Sequence, residues 1–205
     1  MLVDDGTGEA GDPQAWAVAQ TGGRLRDPSA GVGLWTEGQL RKVYPTDVPP
    51  QQQAEGLDLA AAGGECDVAQ ICLRSDRAIP GLSAQFSALL GPGQLPSETL
   101  SGNFVGLVNV AYPTSGRGIT GPTPDPRLTD SAIVLPAGQT RSLLVTARVP
   151  ADTPAGDYTA QVTLSAEGFS ATVPSKLRVY AVDLPPTPTL TTIARIWDQH
   201  KGYED

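Results

Sequence analysis

The sequence predicts an all-β chain folded as an antiparallel β-sandwich, and three observations carry that prediction. Short apolar runs alternate with a period of two, as where Tyr158, Ala160, Val162 and Leu164 are interleaved with Thr159, Gln161, Thr163 and Ser165. This is the spacing of a strand with one buried face. The 23 Gly and 19 Pro lie between those runs, where turns connecting short strands need them. Only one short segment, LSAQFSALL, has the makings of a helical turn. At 205 residues the chain has material for one generous β domain or two small ones, with an ample core either way.

Residues 1–32, rich in Gly, Asp and Pro, read as an irregular N-terminal arm. Asp4, Asp5, Glu9 and Asp12 offer oxygen ligands there. The alternate spacing of a calcium loop ending in a bidentate Glu is absent, so a solvated acidic loop is expected.

From Gly33, GLWTEGQLRKVYP makes a first strand region that stops at TDVPPQQQ, a proline cluster unable to continue a central strand. Leu57 and Leu59 open a second. In ECDVAQICLRS, Ala69, Ile71 and Leu73 alternate with Val68, Gln70 and Cys72, leaving both faces largely apolar. That strand is predicted to be central and covered on two sides.

LSAQFSALL is expected to form a helical turn ended by the breaker GPG. FVGLVNVAY follows as a strand, and PTSGRGITGPTPDPRLTD as a long loop whose prolines interrupt any ladder. In SAIVLPAGQTRSLLVTARVP, Leu143, Val145, Ala147 and Val149 face one way. Pro150, Pro154 and Gly156 then set a turn. Tyr158 is expected to anchor it against the core, its hydroxyl bonded to turn backbone as in a tyrosine corner.

FSATVPSKLRVYAVDLP supplies two more short extended runs. The predicted sandwich therefore spans residues 33–184 with seven or eight strands, immunoglobulin-like or jelly-roll-like in its layering. LPPTPTL reads as a stiff linker, and TTIARIWDQHKGYED begins a new apolar run, so residues 185–205 are assigned to a linker and the start of a further unit.

Composition narrows the function classes. A net charge of -8, from 14 Lys+Arg against 22 Asp+Glu, provides no electrostatic footprint for nucleic acid and repels an anionic membrane surface. No run approaches the roughly 20 apolar residues needed to cross a bilayer. MLVDDGTGEAGDPQAW has neither the basic head nor the apolar stretch of a leader. The expectation is a protein that stays inside the cell or has already lost its leader.

Cys66 and Cys72, if on one strand, share a face about 20 Å apart at ~3.3 Å per residue, beyond the roughly 4.4–6.8 Å Cα separation a disulfide tolerates. Both are read as free thiols packed as small apolar residues. A zinc site needs two more ligands from a chain with one His, and no cofactor is expected.

Catalysis needs an activated nucleophile, a general acid and base, or a metal. His200, the sole imidazole, sits in the tail DQHKGYED, where nothing holds a base in orientation. GxSxG, GxxxxGK[ST] and HExxH are all missing. Adjacent carboxylates such as Asp4 with Asp5 and Glu204 with Asp205 lie near the ends, whereas a glycosidase pair must be held about 5–9.5 Å apart on a rigid scaffold. Trp16 and Trp35 have the ring type that stacks on a pyranose. Trp35 is the candidate carbohydrate contact, weighed against packing over one end of the sandwich.

Several segments, in order, resemble the N-terminal β-sandwich domain of glycoside hydrolase family 123 and related bacterial proteins. They are LWTEGQLRKVYPTDVPP, LDLAAAGGECDVAQICLRSD, FVGLVNVAYPTS, PDPRL, LPAGQTRSLLVTARVPADTPAGDYTAQVTL and VPSKLRVYAVDLPPTPTLTT, together residues 33 to 192. The strongest element is A-x-x-E-x-x-x-x-Q, here Ala62, Glu65 and Gln70, followed later by PAGDY. The chain departs from the pattern with Gly63 and Gly64 ahead of Glu65, where Arg or Asn is usual, and with Cys66 after it in place of an aromatic.

The resemblance implies a C-terminal (β/α)8 barrel in cis carrying an Asp-Glu pair that acts with the substrate's own N-acetyl group, and an extracellular or periplasmic location. Such a barrel needs about 250 residues, and fifteen follow Leu190. The expected role is thus a non-catalytic accessory domain, with IARIWDQ as at most the first barrel strand. An autonomous carbohydrate-binding module and a surface adhesion sandwich are the alternatives.

Overall fold

A computed structural model describes residues 22–112 and 120–187. Twelve strands occur among them: β1 Val32–Gly38, β2 Leu57–Gly63, β3 Cys66–Ser75, β4 Ile79–Phe86, β5 Leu89–Leu90, β6 Gln94–Leu95, β7 Leu100–Val110, β8 Gly121–Arg127, β9 Ala132–Leu135, β10 Thr140–Arg148, β11 Gly156–Ala166 and β12 Phe169–Asp183. One 3-10 turn, Ser97–Thr99, precedes β7. The strands form two packed sheets. Five run in the order β1–β3–β10–β7–β8, and the other seven follow the path β2–β12–β11–β4–β9, with β5 attached to β11 and β6 to β5. The fold is the all-β sandwich the alternation predicts, antiparallel throughout except for the parallel pair β2–β12.

Each inner face is the apolar stripe read from sequence. Leu34, Ile71, Leu143 and Val145 of the five-stranded sheet meet Val162, Leu164, Val173 and Leu177 of the other, all buried. At about 1.5–3 kcal/mol for each large side chain removed from water, this stripe is the main force joining the layers. Strand β3 lies between β1 and β10 and is buried on both faces through its middle, as its apolar residues at both parities require.

Four local readings are corrected. LSAQFSALL is extended rather than helical: Ser83–Phe86 pair with Val162–Ser165 of β11, and Leu90 pairs with Thr159. Pairing with a formed neighbour outweighs the weak helical preference of so short a run. The stretch Gly121–Arg127, taken as loop, is β8. It is an edge strand, with Pro122 and Pro124 opposite Asn109 and Leu107, and alternate prolines are tolerated there because every second backbone nitrogen faces away from the sheet.

FSATVPSKLRVYAVD is one strand of 15 residues rather than two runs. Pro174 does not break it, since the ladder to β2 begins one residue later, at Ser175 with Leu57. Cys66 is exposed, while Cys72 is buried as expected; both are free thiols.

Residues 22–31 lie against the sandwich. The Leu25 amide donates to the Leu34 carbonyl at 2.9 Å and the Thr36 amide to Gly23 at 2.9 Å, while on the other side the Arg24 amide reaches Gln52 at 2.7 Å. Leu25 is buried in the core. The segment thereby closes the gap between β1 and the approach to β2. Asp4, Asp5, Glu9, Asp12, Trp16 and His200 fall outside the described residues. No helix among the described residues is long and apolar enough to cross a membrane.

Candidate functional site

A cluster of ionisable groups, Glu37, Arg41 and Asp47, lies at the outer face of the five-stranded sheet. Alternation that sends Leu34, Ile71 and Leu143 inward sends Trp35 and Glu37 of β1, Gln70, Cys72 and Arg74 of β3, and Ser142 of β10 outward, where Trp35 pairs with Cys72 and Glu37 with Gln70. Proline at 45, 49 and 50 prevents the chain after β1 from pairing, so residues 39–50 turn back over this face as a strap.

The strap is held by its backbone carbonyls. Gln70 Nε2 donates to Gly38 at 2.8 Å and to Arg41 at 2.7 Å. Arg74 Nη1 donates to Pro45 at 3.1 Å. Thr140 donates its amide to Pro45 at 2.9 Å and its hydroxyl to Asp47 at 2.7 Å. Val43 inserts from the strap against Trp35 and Cys72, forming a second small core.

Glu37 is 6% exposed. The Trp35 indole and the Gly22 amide favour its charged form, but less than burial opposes it. Arg41 Nε stands 3.6 Å from the carboxylate, and the same guanidinium lies 3.7 Å from Asp47. Burial pushes the Glu37 carboxyl above its usual range despite Arg41. Burial, reinforced by Glu37, holds the Cys72 thiol well above its usual value. Cys72 is therefore a protonated thiol beneath the strap, since burial and the acids outweigh the Arg41 charge nearby.

Trp35, the candidate glycan contact, is 1% exposed. It packs beneath the strap with Val43 and Cys72, and stacking on a sugar would require the strap to lift. Reading by sequence missed Glu37, Arg41 and Asp47 as a set, because a carboxylate four residues before an arginine is informative only on a helix and this segment is not one.

The Ala62–Glu65–Gln70 element divides between two tasks. Gln70 ties the strap, whereas Glu65 Oε2 accepts the Ala62 amide at 2.7 Å and Asp67 Oδ2 accepts that of Ala60 at 2.8 Å. The two acids thus cap amides along the edge of β2 that no described strand pairs, an edge that would otherwise template another strand. Gly64, at φ +78°, makes the turn to β3. A Cβ at Gly63 would overlap the Asp183 carboxylate, so the glycine there admits the end of β12.

Elsewhere, a shallow cleft of about 300 Å³ is lined by Arg24, Asp27, Arg74 and Asp76 with apolar neighbours. Arg24 is already paired with Asp27 and Arg74 with the strap. Among the described residues no group of three or more His, Cys, Asp and Glu is arranged to hold a metal.

No protein-family model and no curated protein matches the chain. Among solved structures it is similar to a family 123 glycoside hydrolase from Clostridium perfringens described for glycolipid glycan hydrolysis, with TM-score 0.65 and 13% identity over 76% of this chain and 28% of that one. Weaker likenesses are to a family 20 exo-β-N-acetylglucosaminidase from Vibrio harveyi (TM-score 0.21, 13% identity, 69% of this chain and 20% of that one) and a cohesin of R. flavefaciens bound to a dockerin (TM-score 0.28, 18% identity, 64% and 99%). Those two bear on nothing further. The chain spans under a third of the length of the family 123 enzyme, and what the two share at this identity is the sandwich fold.

Proposed function

We propose that the chain is the non-catalytic N-terminal β-sandwich domain of a glycoside-hydrolase-like protein, supporting an adjacent (β/α)8 barrel that acts on N-acetylgalactosaminides. The observation that carries this reading is the likeness in fold to 28% of the length of a family 123 enzyme, together with the ordered run of segments that resembles that family's N-terminal domain. The use of the acids supports it too. Glu65 and Asp67 cap a sheet edge and Glu37 is paired with Arg41, so each is occupied in holding the fold. Extending the reading frame of the gene past Asp205 is the test: about 250 further residues with alternating strand and helix periods are expected, and further sandwiches in tandem or a stop would overturn it.

A glycan-binding module is the second reading, moved from Trp35 to the outer face of the seven-stranded sheet. There Ser83, Ser165 and Ser170 line up across three strands beside Gln85, Thr163 and Thr172, an uncharged surface suited to a neutral polysaccharide. Retardation of the 205-residue chain in a polysaccharide gel, abolished by Thr163→Arg, would favour this reading over a purely supporting role.

A further inference from the structure

We infer that the end of β12 is the seat for the domain that follows, with Tyr180, Val182 and Leu184 as its apolar contacts. This rests on the reading of the chain as a supporting domain. Strand β12 outlasts its antiparallel neighbour, whose last register pair is Gly156 with Val179, and continues to Asp183. Against β2 its register slips between Val179 and Asp183. Such a bulge re-aims side chains and ends regular pairing. Tyr180 is 53% exposed, Val182 56% and Leu184 45%. Three large apolar side chains thus reach water within five residues.

This segment is not loose. The Leu184 amide donates to Gly63 at 2.8 Å, and the Asp152 amide to Asp183 Oδ1 at 3.0 Å. The Gly64 amide, in the same turn, is held by the Val149 carbonyl at 3.0 Å. A surface already fixed in place loses little freedom when covered. Further back on the strand, Arg178 pairs with Asp157 and Lys176 with Glu55, while the Asp183 carboxylate within the tip is turned to the Asp152 amide.

Its position selects the occupant. Leu184 is followed at once by Pro185 and Pro186, and a proline-rich linker is a semi-rigid spacer of about 3.1 Å per residue, which limits how far from Leu184 the next domain can stand. A domain beginning a few residues later is confined close to Tyr180, at an effective concentration that makes a small patch sufficient. A free partner would need a much larger area to bind stably.

The experiment is calorimetry and limited proteolysis of the full-length gene product, unsubstituted and with Tyr180→Ser, Val182→Ser and Leu184→Ser combined. Coupled melting of sandwich and following domain in one transition is expected, splitting into two in the variant, with cleavage between residues 185 and 192 accelerated severalfold. The same substitutions in the 205-residue chain should leave its melting unchanged, which controls for folding. A single transition and unchanged cleavage in the variant would overturn the inference while leaving the supporting role standing. A gene with no following domain would overturn both. A dimer of the 205-residue chain that the substitutions abolish would assign the patch to a second copy and overturn the inference alone.

Discussion

The Tyr158 hydroxyl donates to the Pro154 carbonyl at 2.8 Å, across the turn that enters β11, while its ring is fully buried. The bond joins the turn to the strand that follows it. Tyr158→Phe keeps the ring and removes only this tie, so a loss of about 0.5–1.5 kcal/mol is expected, read as a lower denaturant midpoint at constant m-value. An unchanged midpoint would mean the turn holds without it.

Glu37 gives a pH dependence of defined sign. Its folded carboxyl titrates above its usual range because burial outweighs Arg41, so the folded state binds that proton more tightly than the unfolded one. The resulting stability is present below the ordinary carboxylate pKa, about 4.3, and is lost as pH rises through the raised value. Glu37→Gln should therefore be relatively more stable at pH 7 than at pH 4 when each is compared with the unsubstituted protein. Thermal melts across that range check it, and the opposite trend would show that the Arg41 pair dominates.

The two thiols should separate cleanly. Cys66 is exposed and Cys72 is buried with its pKa held up. One equivalent of an aromatic disulfide reagent should react at once under native conditions, and the second only at the rate of unfolding. Rapid reaction of both would mean that the strap over Cys72 opens readily.

Capping of the β2 edge predicts the effect of losing Glu65. Glu65→Ala leaves the partly buried Ala62 amide without its carboxylate, a loss of about 1–3 kcal/mol. It also exposes an edge, so aggregation on heating should increase, as light scattering would register. A soluble variant of unchanged stability would remove the edge-capping account.

The layers of the sandwich were legible because burial on one face forces period-two alternation, as in Tyr158 to Leu164, and because β3 carries apolar residues at both parities. The Tyr158 tie was legible too, since a buried phenol beside a proline turn has few other partners. What local sequence could not show were relations set by distant neighbours. Ser83–Phe86 is a strand because β11 lies beside it, and Pro122 and Pro124 are allowed because no described strand pairs with β8 on its far side. The strap network was hidden for the same reason. Gln70 meets the Gly38 carbonyl 32 residues away in the chain, and nothing in either segment marks that meeting.

The central claim is that chemistry belongs to a neighbouring domain and this chain supports it. Turnover of an aryl N-acetylgalactosaminide by the full-length protein, measured beside the 205-residue chain alone at equal concentration, tests it most directly. Release of the aryl group by the full-length protein and none by the 205-residue chain is the predicted result. Turnover by the 205-residue chain alone would contradict it.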